Sequence, residues 1–118
     1  TDILFCPMMV LDLADCIVDS AAKDLKGLYH CVGPEVMSKY DFGVAIARRF
    51  EFDPALISPA SVYDGGLAAA RSPNLTLSTT RIQTALGRPL PDFESGLQKF
   101  FNQYRHGYSE MLKTLTAS

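Results

Sequence analysis

The chain has 118 residues, 47% of them apolar and 20% charged, which bounds it to one soluble globular unit with a modest core. Its formal net charge is −2, and no Lys/Arg cluster is longer than Arg48-Arg49. That balance excludes nucleic acid and anionic membrane as expected partners, and no apolar run approaches the ~20 residues that span a bilayer. Three cysteines, Cys6, Cys16 and Cys31, form no CxxC or Cys/His spacing. Structural zinc is therefore not expected, and the thiols read as buried and reduced in a cytosolic protein. The chain opens on Thr1 without a Met or a signal peptide, as a piece cut from something longer would.

Residues 3–6 are a short apolar run ended by Pro7, read as the tail of a strand. Val10, Leu13, Ala14, Ile17, Val18 and Ala21 then recur at helical spacing, predicting a helix over 11–22 with Asp12 and Asp15 near its positive end. Residues 28–32 read as a buried strand closed by Gly33-Pro34. Ser38 followed by Asp41 predicts a capped helix with Phe42, Ala45, Ile46 and Phe50 as its apolar stripe.

Asp53-Pro54 predicts a single helical turn ending near Ile57. Residues 58–62 read as extended, an edge strand at best because of Pro59. The most loop-like stretch is 64–70, expected to be mobile. After an extended segment over 74–77, Thr79 or Thr80 starts a short helix stopped by Gly87 and Pro89. Asp92 caps the last predicted helix, with Phe93, Leu97, Phe100, Phe101, Tyr104 and Tyr108 apolar and Gly107 a weak point. Four helices and strands too few for a self-sufficient sheet make this a helix-rich α/β unit, one single partial domain over 1–118.

The strand–turn–helix over 27–50 invites a phosphate site, because helix N-termini attract anions. A dinucleotide fold needs GxGxxG at that turn; here it is Gly33-Pro34-Glu35-Val36-Met37-Ser38. Pro34 lacks an amide donor and Glu35 puts a negative charge where phosphate would sit, so the turn fails as a cradle. No Walker loop, GxSxG elbow or HExxH helix occurs. His30, in the apolar run, reads as a core histidine, and His106 as a solvated one. Asp12, Asp15, Asp92 and Glu94 read first as helix-start residues. Arg71-Ser72-Pro73-Asn74 is the polar cluster with most chemistry to offer. Its Arg fits bidentate binding of a diphosphate or carboxylate, and its Asn fits a sugar hydroxyl.

Several stretches, in order, resemble the C-terminal portion of extended short-chain dehydrogenase/reductases of the dTDP-4-dehydrorhamnose reductase type. They are Pro7-Met8-Met9-Val10-Leu11-Asp12-Leu13-Ala14, Gly27-Leu28-Tyr29-His30-Cys31-Val32-Gly33, Arg71-Ser72-Pro73-Asn74-Leu75-Thr76-Leu77-Ser78, Leu86-Gly87 and the final helix over 93–101. Ser72 and Ser78 depart from the family's usual Pro and Asp. The resemblance implies the substrate side of a cleft that faces a Rossmann half absent from this chain, with NAD(P)H in the parent enzyme and none bound here. It implies a nucleotide-linked 4-keto-6-deoxysugar as substrate and a cytoplasmic parent, and it singles out Arg71 for an anionic contact, Asn74 for a polar one and Met9 for the cleft wall. The family's Tyr-x-x-x-Lys pair does not occur here, so the chain is expected to be non-catalytic alone. His30-Cys31-Val32-Gly33-Pro34-Glu35 with Lys39-Tyr40 is also similar to the regulatory β subunit of methionine adenosyltransferase, the rival reading. A free-standing binding module is a third. Exposed apolar surface, covered by the missing half or in a homodimer, would count against it.

Overall fold

Pro7 has no N–H to continue a ladder, and it ends the first strand after two residues. The computed structural model describes residues 1–66 and 68–117. Its elements are β1 (Leu4–Phe5), α1 (Val10–Ala22), β2 (Met37–Ser38), α2 (Lys39–Arg49), a 3-10 turn (Pro54–Leu56), β3 (Asn74–Leu75), α3 (Thr80–Leu86), α4 (Phe93–Arg105) and α5 (Tyr108–Thr116). The fold is mixed α/β, five helices around a small three-stranded sheet of order β2-β1-β3. β1 runs antiparallel to β2, with Leu4 opposite Ser38, and parallel to β3, with Leu4 opposite Asn74. No helix of the described residues is long and apolar enough to cross a membrane.

The caps decide where the helices begin. Ser38 Oγ accepts the Asp41 N–H at 3.0 Å and donates to the Asp41 carboxylate at 2.7 Å, so the last residue of β2 is also the cap of α2. Ser38→Ala should therefore cost about 1 kcal/mol, read as a lowered urea midpoint; an unchanged midpoint would show that the cap contributes nothing. Asp53 caps the 3-10 turn through Ala55 N–H at 2.9 Å, and Asp92 caps α4 through Ser95 N–H at 2.8 Å. Gly87 and Gly107 end helices in the left-handed region, at φ 68° and 69°. Gly107 splits the expected last helix in two, so residues 108–116 form a separate fifth helix.

Two further expectations are corrected. Residues 28–32 form no strand. Tyr29 and Cys31 turn inward onto Cys16, Ile82, Leu86 and Leu90, while Leu28 and His30 face solvent. The apolar alternation is real, but side chains of α1 and α3 pack against it, so no ladder forms. His30 is accordingly exposed, not a core histidine. Residues 58–62 likewise join no sheet; Asp2 holds them through Ser61 Oγ and through Val62 N–H at 2.9 Å. In the loop over 64–70, Leu67 lies outside the described residues.

The core is small and lies between α1, α3 and the 28–31 segment, with Cys16 only 1% exposed. A second cluster is aromatic. Phe50, at the end of α2, stands 5.2–5.4 Å from Phe100, Phe101 and Tyr104 of α4, centroid to centroid. The outer face of α1 is apolar and uncovered: Val10, Ile17 and Val18 are 69%, 61% and 66% exposed.

Candidate functional site

The connector from β1 to α1 forms one wall of a cleft of about 610 Å³; α2 and the first half of α4 form the others. Met9 stands at the N-cap of α1, where its Sδ accepts the Leu11 N–H at 3.1 Å, which fixes the side chain on the wall. Gly96 brings α4 close. A Cβ there would lie 3.2 Å from Met9 Cβ and 3.5 Å from Asp12 Oδ2. Phe5, Phe42 and Phe93 line the floor in sequence, Phe5 edge-on to Phe42 at 5.3 Å and Phe42 tilted against Phe93 at 5.9 Å.

The polar groups of the cleft are few. Asp12, 2% exposed, is ion-paired to Lys99 of α4. Asp92 is occupied as a helix cap, and the Ser95 side chain and N–H hold its carboxyl below the ordinary value. Gln103 and Tyr108 complete the rim. Such a cleft suits a flat or apolar moiety held by ring faces. It presents no free acid–base pair.

Arg71 is elsewhere. It is exposed and lines a smaller cleft of about 280 Å³ with Val62, Tyr63 and Ala70, and among the described residues its guanidinium has no ion pair. Asn74 lies in β3 beside β1, exposed, and its Oδ1 accepts both the Thr76 N–H at 3.0 Å and the Thr76 hydroxyl at 2.7 Å. That leaves the amide N–H₂ of this exposed residue without a hydrogen bond among the described residues. Arg71, Asn74 and Met9 are thus not gathered into one cleft. The sheet links them: Leu75, next to Asn74, is paired with Phe5, which lines the Met9 cleft.

Asp2 anchors the wall beside Arg71. The Ser61 hydroxyl first, then the Val62 N–H, hold its carboxyl below the ordinary value of 3.8. A depressed folded-state value means the anchor is complete above that ordinary value and is lost as pH falls through the lower one. Protection of the Val62 amide from hydrogen exchange should fall with acidification below about pH 4, and Asp2→Asn should remove the pH dependence. Equal protection across that range in the native chain would refute the anchor.

The remaining candidates are structural. His106 is exposed, with Nδ1 2.6 Å from the Asn102 carbonyl. Glu94 pairs with Arg49, and Asp15 is exposed. A third cleft, of about 870 Å³, gathers Arg48, Arg49 and Arg105, but these stand in the last turns of α2 and α4, where they answer the helix dipoles. No three His, Cys, Asp or Glu side chains of the described residues are grouped to hold a metal ion. The turn after residue 32 does not fit a pyrophosphate: Gly33 is packed on the Pro7 carbonyl, and Glu35 Oε1 accepts the Phe93 N–H at 2.9 Å.

Sequence reasoning missed the long-range polar contacts. Asp12–Lys99 joins α1 to α4, and Arg88 places Nε and Nη2 on Asp19 Oδ2 at 3.2 and 2.6 Å. Arg81 donates to the Leu28 carbonyl at 2.7 Å while lying 4.6 Å over the Tyr29 ring. Each partner is readable locally only as a helix-end or surface charge, and nothing in the local pattern pairs them.

Among curated proteins none matches this chain. A family model does: the one described as RmlD substrate binding domain, over residues 1–106. That span includes the Met9 cleft wall, the 28–33 segment, Arg71, Asn74 and all of α4. The chain belongs to the RmlD substrate-binding domain family, the substrate-binding domain of dTDP-4-dehydrorhamnose reductase-like proteins.

Proposed function

We propose that this chain is the substrate-binding portion of an NAD(P)-dependent, cytoplasmic reductase acting on a nucleotide-linked 4-keto-6-deoxysugar. The observation that carries the reading is the family match over 1–106, together with an exposed guanidinium at Arg71 that has no ion pair among the described residues, in a segment that resembles that family's pattern. In this reading Arg71 meets the diphosphate, the Asn74 amide donates to a sugar hydroxyl, and Met9 with its neighbouring rings covers an apolar face. In the same reading, the nicotinamide cofactor and the proton donor are supplied by a Rossmann half of the parent enzyme. The uncovered α1 face of Val10, Ile17 and Val18 supports a chain that packs against further protein.

The test is nucleotide-sugar binding and turnover by the full-length protein. Arg71→Ala should weaken binding of a dTDP-sugar roughly tenfold or more, as expected for loss of a charge-assisted contact. A kcat/KM unchanged by that substitution would remove Arg71 from the site. Binding without cofactor-dependent turnover would favour the regulatory-subunit reading over the reductase.

A further inference from the structure

We propose that the cleft of about 870 Å³ between the C-terminal ends of α2 and α4 is a second small-molecule site, for a planar ring that carries an oxyanion group. Two arrangements carry it. The first is aromatic. Phe50 lies 5.2 Å from the Phe101 and Tyr104 rings and 5.4 Å from Phe100, which fixes the two helix ends as facing walls. Of the rings on the cleft, Tyr104 is 61% exposed, and its hydroxyl has no hydrogen bond among the described residues. An open ring face of that kind suits a flat moiety.

The second arrangement is basic. Arg48, Arg49 and Arg105 line this cleft, in a chain whose formal net charge is −2. Arg49 is taken by Glu94. Arg48 and Arg105 are exposed, and among the described residues their guanidiniums make no ion pair and no hydrogen bond; Arg105 only lies 5.6 Å over the Phe101 ring. Nor do the helix ends use their donors. The Ile46, Ala47 and Arg48 carbonyls accept the Phe50, Phe52 and Glu51 N–H groups at 2.9, 2.8 and 3.3 Å, and the Asn102 and Tyr104 carbonyls accept those of His106 and Gly107 at 3.0 and 3.3 Å. The dipoles thus favour the two charges and leave both N–H forks unspent, and a fork is the group that binds an oxyanion bidentately. Glu51, the carboxylate on this cleft without a cation partner among the described residues, opposes such a ligand. The cleft shares no lining residue with that of Arg71 and only Leu97 with that of Met9, so the site stands independently of the nucleotide-sugar reading.

The test is titration of the ¹⁵N-labelled full-length protein with phenyl phosphate, followed by amide chemical shifts, with inorganic phosphate and phenol as the two half-probes. Phenyl phosphate should bind about tenfold or more tightly than either half-probe, because only it meets both ring and guanidinium. Its shift changes should centre on residues 48–51 and 104–107. Arg48→Gln combined with Arg105→Gln should lower the affinity at least about tenfold, and Glu51→Gln should raise it. Tyr104→Leu should bring phenyl phosphate down to the level of inorganic phosphate and leave inorganic phosphate unchanged. The arginine and glutamate side chains are exposed, so those variants keep the fold; if Tyr104→Leu unfolds, the affinity ratio and the amide map of the native protein decide. Equal affinity for phenyl phosphate and inorganic phosphate would reduce the cleft to a charged surface and overturn the proposal. So would shift changes centred on the Arg71 or Met9 cleft, an unchanged affinity in the double arginine variant, or no saturable binding at all.

Discussion

Gly33→Ala is expected to destabilise the chain by about 4 kcal/mol or more, a large share of the 5–15 kcal/mol that holds a typical domain together. A Cβ at this position would lie 1.8 Å from the Pro7 carbonyl oxygen and 2.8 Å from its carbon. Both are backbone atoms, so no rotamer change relieves the overlap. The chain must instead move apart where the Gly33 N–H meets the Cys6 carbonyl at 3.3 Å. Pro7 is followed directly by Met8 and Met9, so that movement would also displace the cleft wall. Urea unfolding followed by circular dichroism reads the effect, with Gly43→Ala as the control of opposite sign. Gly43 lies inside α2, where an added methyl meets only Ile57 side-chain carbons at 3.4 and 3.6 Å. Removing a helical glycine there should gain up to about 1 kcal/mol. Equal midpoints for Gly33→Ala and the native chain would mean the Gly33–Pro7 stacking does not exist in solution.

The contrast between those two glycines marks how far the sequence can be read. Gly33 is visible as turn punctuation beside Pro34, but its closeness to Pro7 is a tertiary fact with no local signature. The helices up to α4 were legible because their causes are local, whereas α5 beyond Gly107 was not read. Ser38, Asp53 and Asp92 supply their own caps, Gly87 supplies a left-handed stop, and apolar residues recur at the helical period. Sheet pairing was not, because strands of two residues carry no period. β2 is hidden inside the capping motif of α2, and the alternation of Leu28, Tyr29, His30 and Cys31 belongs to a segment packed on helices.

The site follows the same division. Met9, expected through family resemblance near the wall of a substrate cleft, borders the cleft of about 610 Å³, and its thioether caps α1. Arg71 and Asn74 lie on the other side of the sheet pairing, linked to the cleft through Leu75 and Phe5. The Asp12–Lys99 pair, which ties α1 to α4 beside the cleft, joins residues separated by 87 positions. Asp12 read locally is only an acidic residue in a first turn.

That pair supports the second large prediction: Lys99→Ala should cost about 3 kcal/mol, and Asp12→Ala clearly less. The asymmetry comes from burial, since the Asp12 side chain is 2% exposed and the Lys99 side chain 49%. Removing Lys99 strands a carboxylate with almost no access to water, whereas removing Asp12 leaves an ammonium on a flexible stem that can turn outward. The double variant should therefore be more stable than Lys99→Ala alone, because it deletes the stranded charge. Urea midpoints for the two single variants and the double variant close the cycle. If Asp12→Ala were the costlier single change, the pair would be held by something other than the burial of its carboxylate. The same substitutions bear on binding, because Asp12 sits where Gly96 lets α4 approach Met9. Lys99→Ala should loosen that approach and weaken a ligand lodged against Met9, while contacts made by Arg71, on its separate cleft, stay as they are. Loss of affinity for a nucleotide sugar in Arg71→Ala but not in Lys99→Ala would then assign binding to the Arg71 cleft, and the reverse pattern would assign it to the cleft beside Met9.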